Sequence, residues 1–255
     1  PDPPKAFAPR FTTGAPSRPD GVCLGMHLLL LHGFTSHPVL TLGPLPERLK
    51  EAGWEVRQPA LPGHGTRPED LLKVRFQDWL LAAEEAYLEL PEPRGVVGLS
   101  MGGLLAAHLA ARHPTKALVA LAPAFALKNP LAPLAPYLHW LIPRFPGPPS
   151  IEDPELRKRN PNYPYFPTRA VLELLALMRK TPEVLPQVKA RALVVEAGKD
   201  RVVKGVDRYF ALLGSPRKDY LVFPESGHDL LLDRDREAVA RAVRDWLLAS
   251  DNYLQ

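Results

Sequence analysis

The segment Gly95-Val96-Val97-Gly98-Leu99-Ser100-Met101-Gly102-Gly103 joins a short apolar run to a helical pattern that continues to Arg112. Residues 95–99 predict a strand buried on both faces, and residues 101–112 predict a helix. Ser100 stands on the turn between them, in a G-x-S-x-G pattern. A serine on so sharp a turn takes up a strained backbone, and the flanking glycines remove Cβ atoms that would clash. Its hydroxyl is then presented above a sheet at a helix N-terminus, whose positive end favours negative charge developing nearby. These are the requirements of a nucleophile.

Outward from this turn, short apolar runs alternate with longer helical patterns, the rhythm of a mostly parallel sheet with helices on both faces. Strands are expected at residues 26–31, 55–58, 95–99, 118–122, 192–197 and 220–223. Helices are expected at 44–52, 75–90, 101–112, 169–180, 204–213 and 236–248. In the stripe at 75–90, Trp79 and Tyr87 fall on the apolar side and read as core. Residues 1–25, rich in Pro, Gly and Arg, are expected to give an antiparallel edge hairpin or a partly ordered tail.

Composition bounds the remaining possibilities. A chain of 255 residues with 45% hydrophobic and 24% charged residues reads as one sizeable soluble domain, or a core with an insertion. The net charge of +4 is spread among interleaved acids and bases, as at Arg234, Asp235, Arg236 and Glu237. No basic run with aromatic spacing suggests nucleic acid as a partner. Clean apolar runs such as residues 28–31 are far too short for stable membrane insertion. Cys23 is the single cysteine, so no intrachain disulfide forms, which fits a reducing cytoplasm. The N-terminus lacks the basic start and apolar run of a signal peptide. Arginine outnumbers lysine 21 to 11, proline reaches 31, and Asn and Gln number four each, a balance that fits a thermophile. His27, His32 and His37 are five apart, as are His108 and His113. That spacing puts no ligand pair on one helical face, so no metal site is expected.

A serine nucleophile needs a base and an acid, expected in that fold class after late strands in the order acid, then histidine. Residues 192–197 run into Gly198-Lys199-Asp200, and residues 220–223 into Ser226-Gly227-His228. His228 is the candidate base, and Asp200 the acid that holds its tautomer. Glu196 and Asp207 compete with Asp200, but the first falls within a strand and the second within a helix. Asp229, adjacent to His228, is poorly placed to bond its Nδ1. Two backbone N–H groups must also meet the carbonyl oxygen. Met101, after the nucleophile, supplies one, and Phe34 in His32-Gly33-Phe34 supplies the other. His64, in a Gly-flanked loop, reads as a hydrogen bonder that fixes that loop.

Taken together, His32-Gly33-Phe34, Leu61-Pro62-Gly63-His64-Gly65, Gly98-Leu99-Ser100-Met101-Gly102-Gly103, Asp200 and Gly227-His228 resemble the α/β-hydrolase fold. Gly63-His64-Gly65-Thr66 with Glu69-Asp70 and Asp78-Trp79 is similar to bacterial carboxylesterases and monoacylglycerol lipases. The likeness is close over about residues 26–123 and looser over 168–250. It implies that Ser100, Asp200 and His228 form the triad, with Phe34 and Met101 as the oxyanion donors. It also implies a cofactor-free enzyme acting on small esters of short- to medium-chain acids. Thioester hydrolysis, aminopeptidase action and acyl transfer are alternatives within that fold, with Glu152, Asp153 and Glu155 as candidate partners for a peptide amine. A protein that keeps the fold and only binds its ligand is a further one.

Residues 124–187 interrupt the strand–helix alternation and are expected to form a cap, leaving 1–123 and 188–255 as the core. Leu134, Leu138, Leu141, Leu172, Leu175 and Met178 have helix-like spacing within it and are the expected substrate-binding residues.

Overall fold

The computed structural model describes residues 25–251. The hairpin or tail expected for residues 1–25 therefore lies, but for Gly25, outside the described residues. In chain order the first elements are β1 His27–Leu31, α1 Leu45–Glu51, β2 Glu55–Arg57, α2 Phe76–Leu88, β3 Arg94–Leu99, α3 Met101–Arg112 and β4 Ala117–Leu121. Short pieces follow: β5 Ala126–Leu127, α4 Ala135–Leu138, β6 Arg144–Phe145, α5 Pro154–Arg157 and β7 Phe166–Pro167. The chain then regains its rhythm with α6 Thr168–Val184, β8 Arg191–Ala197, β9 Val203–Lys204, α7 Val206–Leu212, β10 Lys218–Phe223 and α8 Arg236–Asp251.

Six strands form one parallel sheet in the order β10-β8-β4-β3-β1-β2, which puts β3, the strand before Ser100, near its centre. Successive side chains of a strand leave on opposite faces, and the two cores divide accordingly. Leu29, Leu31, Val96, Leu118, Ala120 and Val194 pack with α2, α3, α6 and α7. Leu28, Leu30, Val97, Leu99, Val119 and Val195 pack with α1 and α8. Both faces are thus apolar and covered, as parallel strands require. Trp79 and Tyr87 are fully buried in the first core, their polar atoms donated to Pro62 O and Pro114 O. This is the mostly parallel sheet with helices on both faces that the sequence leads one to expect.

Residues 124–187 are less uniform than their sequence suggests. Their outer part, from β5 to β7, consists of one-turn helices and two-residue strands. β5 pairs antiparallel with β9, and β6 with β7. By contrast, the inner face of α6 belongs to the same core as α2 and α3, through Ala170, Leu174, Leu177 and Met178. This helix is longer than expected because Pro182 sits inside it without ending it.

Candidate active site

Ser100 is the N-cap of α3 with φ 55° and ψ −115°, a backbone rarely adopted by residues other than glycine. The turn closes so tightly that a Cβ on Gly98 would lie 2.1 Å from Gly102 O, and one on Gly102 2.3 Å from Leu31 O. Both glycines are steric necessities. Ser100 N–H donates to Leu121 O, tying the turn to β4.

Ser100 Oγ lies 2.8 Å from His228 Nε2, and His228 Nδ1 lies 2.7 Å from Asp200 Oδ2. All three residues are buried. Asp200 Oδ1 accepts the N–H groups of Val202 at 2.7 Å and Val203 at 2.9 Å, so the carboxylate is fixed from both oxygens. Burial alone would push the His228 pKa down, but the charge and hydrogen bond of Asp200 outweigh it and hold it above the ordinary histidine value. Burial likewise works against ionised Asp200, and His228 with the two N–H groups overcomes it, keeping the carboxyl below its usual range. Glu196 instead accepts from Tyr220 Oη, and Asp207 sits in the first turn of α7. Asp229 is buried beside His228, where burial raises its pKa; it accepts from Asn162 Nδ2 rather than reaching Nδ1.

The loop after β1 passes against the nucleophile: a Cβ on Gly33 would lie 3.1 Å from Ser100 Cβ. Met101, first residue of α3, has no carbonyl within its helix to bond. Among the described residues no partner takes the N–H of Phe34 or of Met101. Two histidines hold this loop. His64 Nε2 accepts Thr35 N–H at 3.1 Å while its Nδ1 bonds Pro62 O. His32 Nε2 accepts Leu61 N–H at 3.1 Å while its Nδ1 bonds Gly33 O. Each must therefore be neutral. Burial pushes the His64 pKa down to about 4, and burial is the largest cause that takes His32 down to about 3.

Above these groups lies a cavity of about 520 Å³. Leu131, Ala135, Leu138, Ile142, Phe145, Phe166, Val171 and Leu174 supply its apolar wall, and Ser150, Asn160, Asn162 and Asp229 a polar side. Of the six expected substrate-binding residues, Leu138 lines this cavity; the other five do not. Leu134 and Leu141 point to solvent, 46% and 62% exposed. On α6 the face toward the cavity is Thr168, Val171 and Leu174. Leu172 lies about 100° round the helix from Val171, and Leu175 packs on the core. Met178 is about 6 Å further along the axis than Leu174 and is buried in that core. Helical spacing identified an apolar helix, but not which flank of it faces the cavity.

Asp233 was invisible in the sequence. It looks like one charge in a solvated run, yet it is fully buried. Its Oδ2 accepts the N–H groups of Glu152 and Gly227, and its Oδ1 those of Asp153 and Arg234. Burial opposes its charge, but these four donors hold its pKa below the usual range. It thereby ties the His228 loop to residues 152–153. Tyr163 makes a similar tie on the other side, its N–H donating to Thr35 O and its Oη to Gly63 O.

Among the described residues, no group of three His, Cys, Asp or Glu side chains could hold a metal ion, and no helix is long and apolar enough to cross a membrane.

Residues 25–235 match the family model described as "Serine aminopeptidase, S33". The chain is 31% identical over 220 residues to a thermostable monoacylglycerol lipase of Bacillus sp. (strain H-257), covering 83% of this chain and 86% of that one. It is 25% identical over 228 residues to a carboxylesterase of Bacillus subtilis (strain 168), covering 86% and 91%. A structure from work on LipS and LipT, two metagenome-derived lipolytic enzymes, superposes with a TM-score of 0.80 at 26% identity, covering 90% of this chain and 94% of that one.

Proposed function

The chain belongs to the serine aminopeptidase S33 family of α/β-hydrolases, and from that membership we propose that it hydrolyses carboxylic esters of short- to medium-chain acids through an acyl-enzyme on Ser100. The observation that carries this reading is the continuous line Ser100 Oγ, His228 Nε2, His228 Nδ1, Asp200 Oδ2, with its open end facing a largely apolar cavity.

In the first half-reaction His228 takes the Ser100 proton as Oγ attacks the ester carbonyl. Asp200 stabilises the imidazolium that forms. The carbonyl oxygen, now negative, receives the N–H groups of Phe34 and Met101, and removing one such donor costs about 3–4 kcal/mol in comparable enzymes. Collapse of the tetrahedral intermediate breaks the ester C–O bond, and His228 returns its proton to the departing alcohol. Water then repeats the sequence on the acyl-enzyme and releases the acid.

Residues 124–167 together with the N-terminal half of α6 act as the cap that selects the acyl group, through Leu138, Val171 and Leu174. A peptidase reading within the same family is less supported. Glu152 pairs with Arg201, Asp153 caps α5 and Glu155 pairs with Lys158, so none of these acids meets the cavity. Among the described residues the one acid lining it, Asp229, has a pKa raised by burial and is a poor anchor for an ammonium group. The composition and the thermostable relative support a thermostable enzyme, and the lone Cys23 supports a cytoplasmic one.

The test is labelling by a fluorophosphonate, followed by kcat/KM over p-nitrophenyl esters and monoacylglycerols of graded length. Label mapped to Ser100 with turnover of these esters is the expected result. Labelling elsewhere, or none with no turnover, rejects the reading.

A further inference from the structure

The cavity over Ser100 has two unlike sides, and the reaction tells them apart. His228 must give its proton to the departing alcohol oxygen, so the alcohol half of an ester lies on the His228 side. Residues 150–153 belong to that side because they are fastened to the loop that carries His228. Asp233 accepts Gly227 N–H together with Glu152 N–H and Asp153 N–H, and Asp229 N–H donates to Ser150 O at 2.9 Å. The acyl half is left the apolar wall of Leu138, Val171 and Leu174.

On the alcohol side stands a charge that ester hydrolysis itself does not need. Among the described residues that line the cavity, Arg157 alone is permanently charged. Its Nε donates to Ile151 O at 2.8 Å and its Nη2 to Glu152 O at 3.1 Å, which holds the guanidinium on that same segment. A guanidinium carries more donors than two carbonyls use, and Nη1 has no acceptor among the described residues. Acids close to it in the chain serve other groups. Glu152 pairs with Arg201, Glu155 pairs with Lys158, and Asp153 accepts the N–H groups of Glu155 and Leu156. Asp229 accepts from Asn162 Nδ2, and its burial opposes ionisation. Arg157 is exposed, so it stands at the mouth of the cavity, where a bound group keeps part of its hydration. A cation held by two hydrogen bonds, with donors to spare and no carboxylate upon it, suits recognition of an oxyanion.

We propose that Arg157 is a specificity-determining residue that takes an oxyanion, carboxylate or phosphate, carried by the alcohol half of the substrate. The proposal rests on the ester-hydrolase reading and narrows its substrates to esters whose leaving alcohol is anionic.

Three butyryl esters with leaving groups of similar shape test it: p-butyryloxybenzoate, p-butyryloxyphenyl phosphate and the neutral p-butyryloxybenzamide. The first two separate carboxylate from phosphate. Each anionic ester's kcat/KM is divided by that of the neutral ester, and comparing this quotient between parent and variant cancels the intrinsic reactivities. Arg157→Met should lower the quotient roughly tenfold for at least one anion, the size expected of a charge-assisted hydrogen bond. Arg157→Lys, which keeps the charge but not the planar fork, should restore part of it. In the parent, added salt should lower kcat/KM for that anionic ester more than for the neutral one, a measurement that stands even if Arg157→Met does not fold. Calorimetric binding of p-hydroxybenzoate, p-hydroxyphenyl phosphate and p-hydroxybenzamide repeats the comparison without turnover. A protein that cleaves none of the esters would therefore end the ester-hydrolase reading while the role of Arg157 stayed readable. A quotient that is the same in the parent and in folded Arg157→Met for both anions overturns the proposal. So does a parent that binds the three alcohols equally and shows no difference in salt response between the esters.

Discussion

Floor and roof of the cavity are held by different means. On the floor, Phe34, Ser100 and Asp200 each follow a strand of the central sheet within three residues, and His228 follows β10 within five. Their strands are locked between two cores. On the roof, the chain from β5 to β7 has no element longer than four residues and is tied down at its edges by Asp233, Tyr163 and Asn162. The floor therefore fixes atoms at hydrogen-bonding precision, which catalysis needs. The roof needs only to enclose volume. A change on the floor should lower the rate for every substrate, and one on the roof should reorder substrates among themselves.

The largest effect is expected at the nucleophile. Ser100→Ala should abolish fluorophosphonate labelling and reduce kcat by about 10⁴–10⁶-fold with the fold intact. Near-normal turnover by the purified variant would remove Ser100 from the reaction. Asp200→Asn comes next, with a loss of about 10⁴-fold from the wrong imidazole tautomer. It also carries a pH signature. His228 must be neutral to accept the Ser100 proton, so activity rises with pH through its pKa. Asp200 holds that pKa above the ordinary value of about 6.5. The acid limb of kcat/KM should therefore have its midpoint above about 6.5 in the parent and move down in Asp200→Asn. A limb that stays in place while the rate falls would mean that Asp200 does not face the base.

His64 belongs to the floor but is buttressed from the roof, its ring stacked on Tyr163 at 6.4 Å between centroids. His64→Ala leaves the Thr35 N–H without its acceptor, loosening the loop that carries Phe34. The expected loss is about 10–100-fold in kcat with KM little changed, because a displaced oxyanion donor is felt in the transition state. A variant that raises KM and spares kcat would instead give His64 a substrate-binding role. Because the His64 pKa is only about 4, its ring remains an acceptor across the range in which His228 titrates.

The same contrast explains what could be read from the sequence. Glycines at 98 and 102 are contacts written into the chain, since a Cβ at either position would strike backbone. The strand runs are apolar because both faces of the sheet are covered, so their positions were readable within a residue or two. Asp233 and Tyr163 escaped because their partners are distant in the chain: Asp233 bonds residues 152–153, and Tyr163 bonds Thr35 and Gly63. No local pattern distinguishes a buried carboxylate that accepts four N–H groups from a solvated one. On the roof, apolar spacing carried α6 but not its orientation, because Leu172 and Leu175 are as apolar as Val171 and Leu174. Only packing against α3 decides which of them meets the cavity.

The smallest effect, and the one that most sharpens the contrast, is expected from Leu174. Its side chain lies 4% exposed on α6, in the core and at the cavity wall at once. Leu174→Phe adds volume where an acyl chain would lie, and Leu174→Ala removes it. Each substrate methylene that gains or loses burial there changes binding by at most about 0.8 kcal/mol, a factor of roughly four. The Phe variant should therefore shift the optimum of kcat/KM toward shorter p-nitrophenyl esters by one or two carbons. The Ala variant should shift it toward longer ones, at a stability cost of about 2–5 kcal/mol because the residue is also core. Activity on the acetate ester, the shortest of the series, should change least in either variant. Leu172, on the same helix but away from the cavity, is the control: Leu172→Phe should leave the length profile as it was. If the two Phe variants give the same profile, the cavity wall does not select the acyl chain, and the division between a rate-setting floor and a substrate-ranking roof fails.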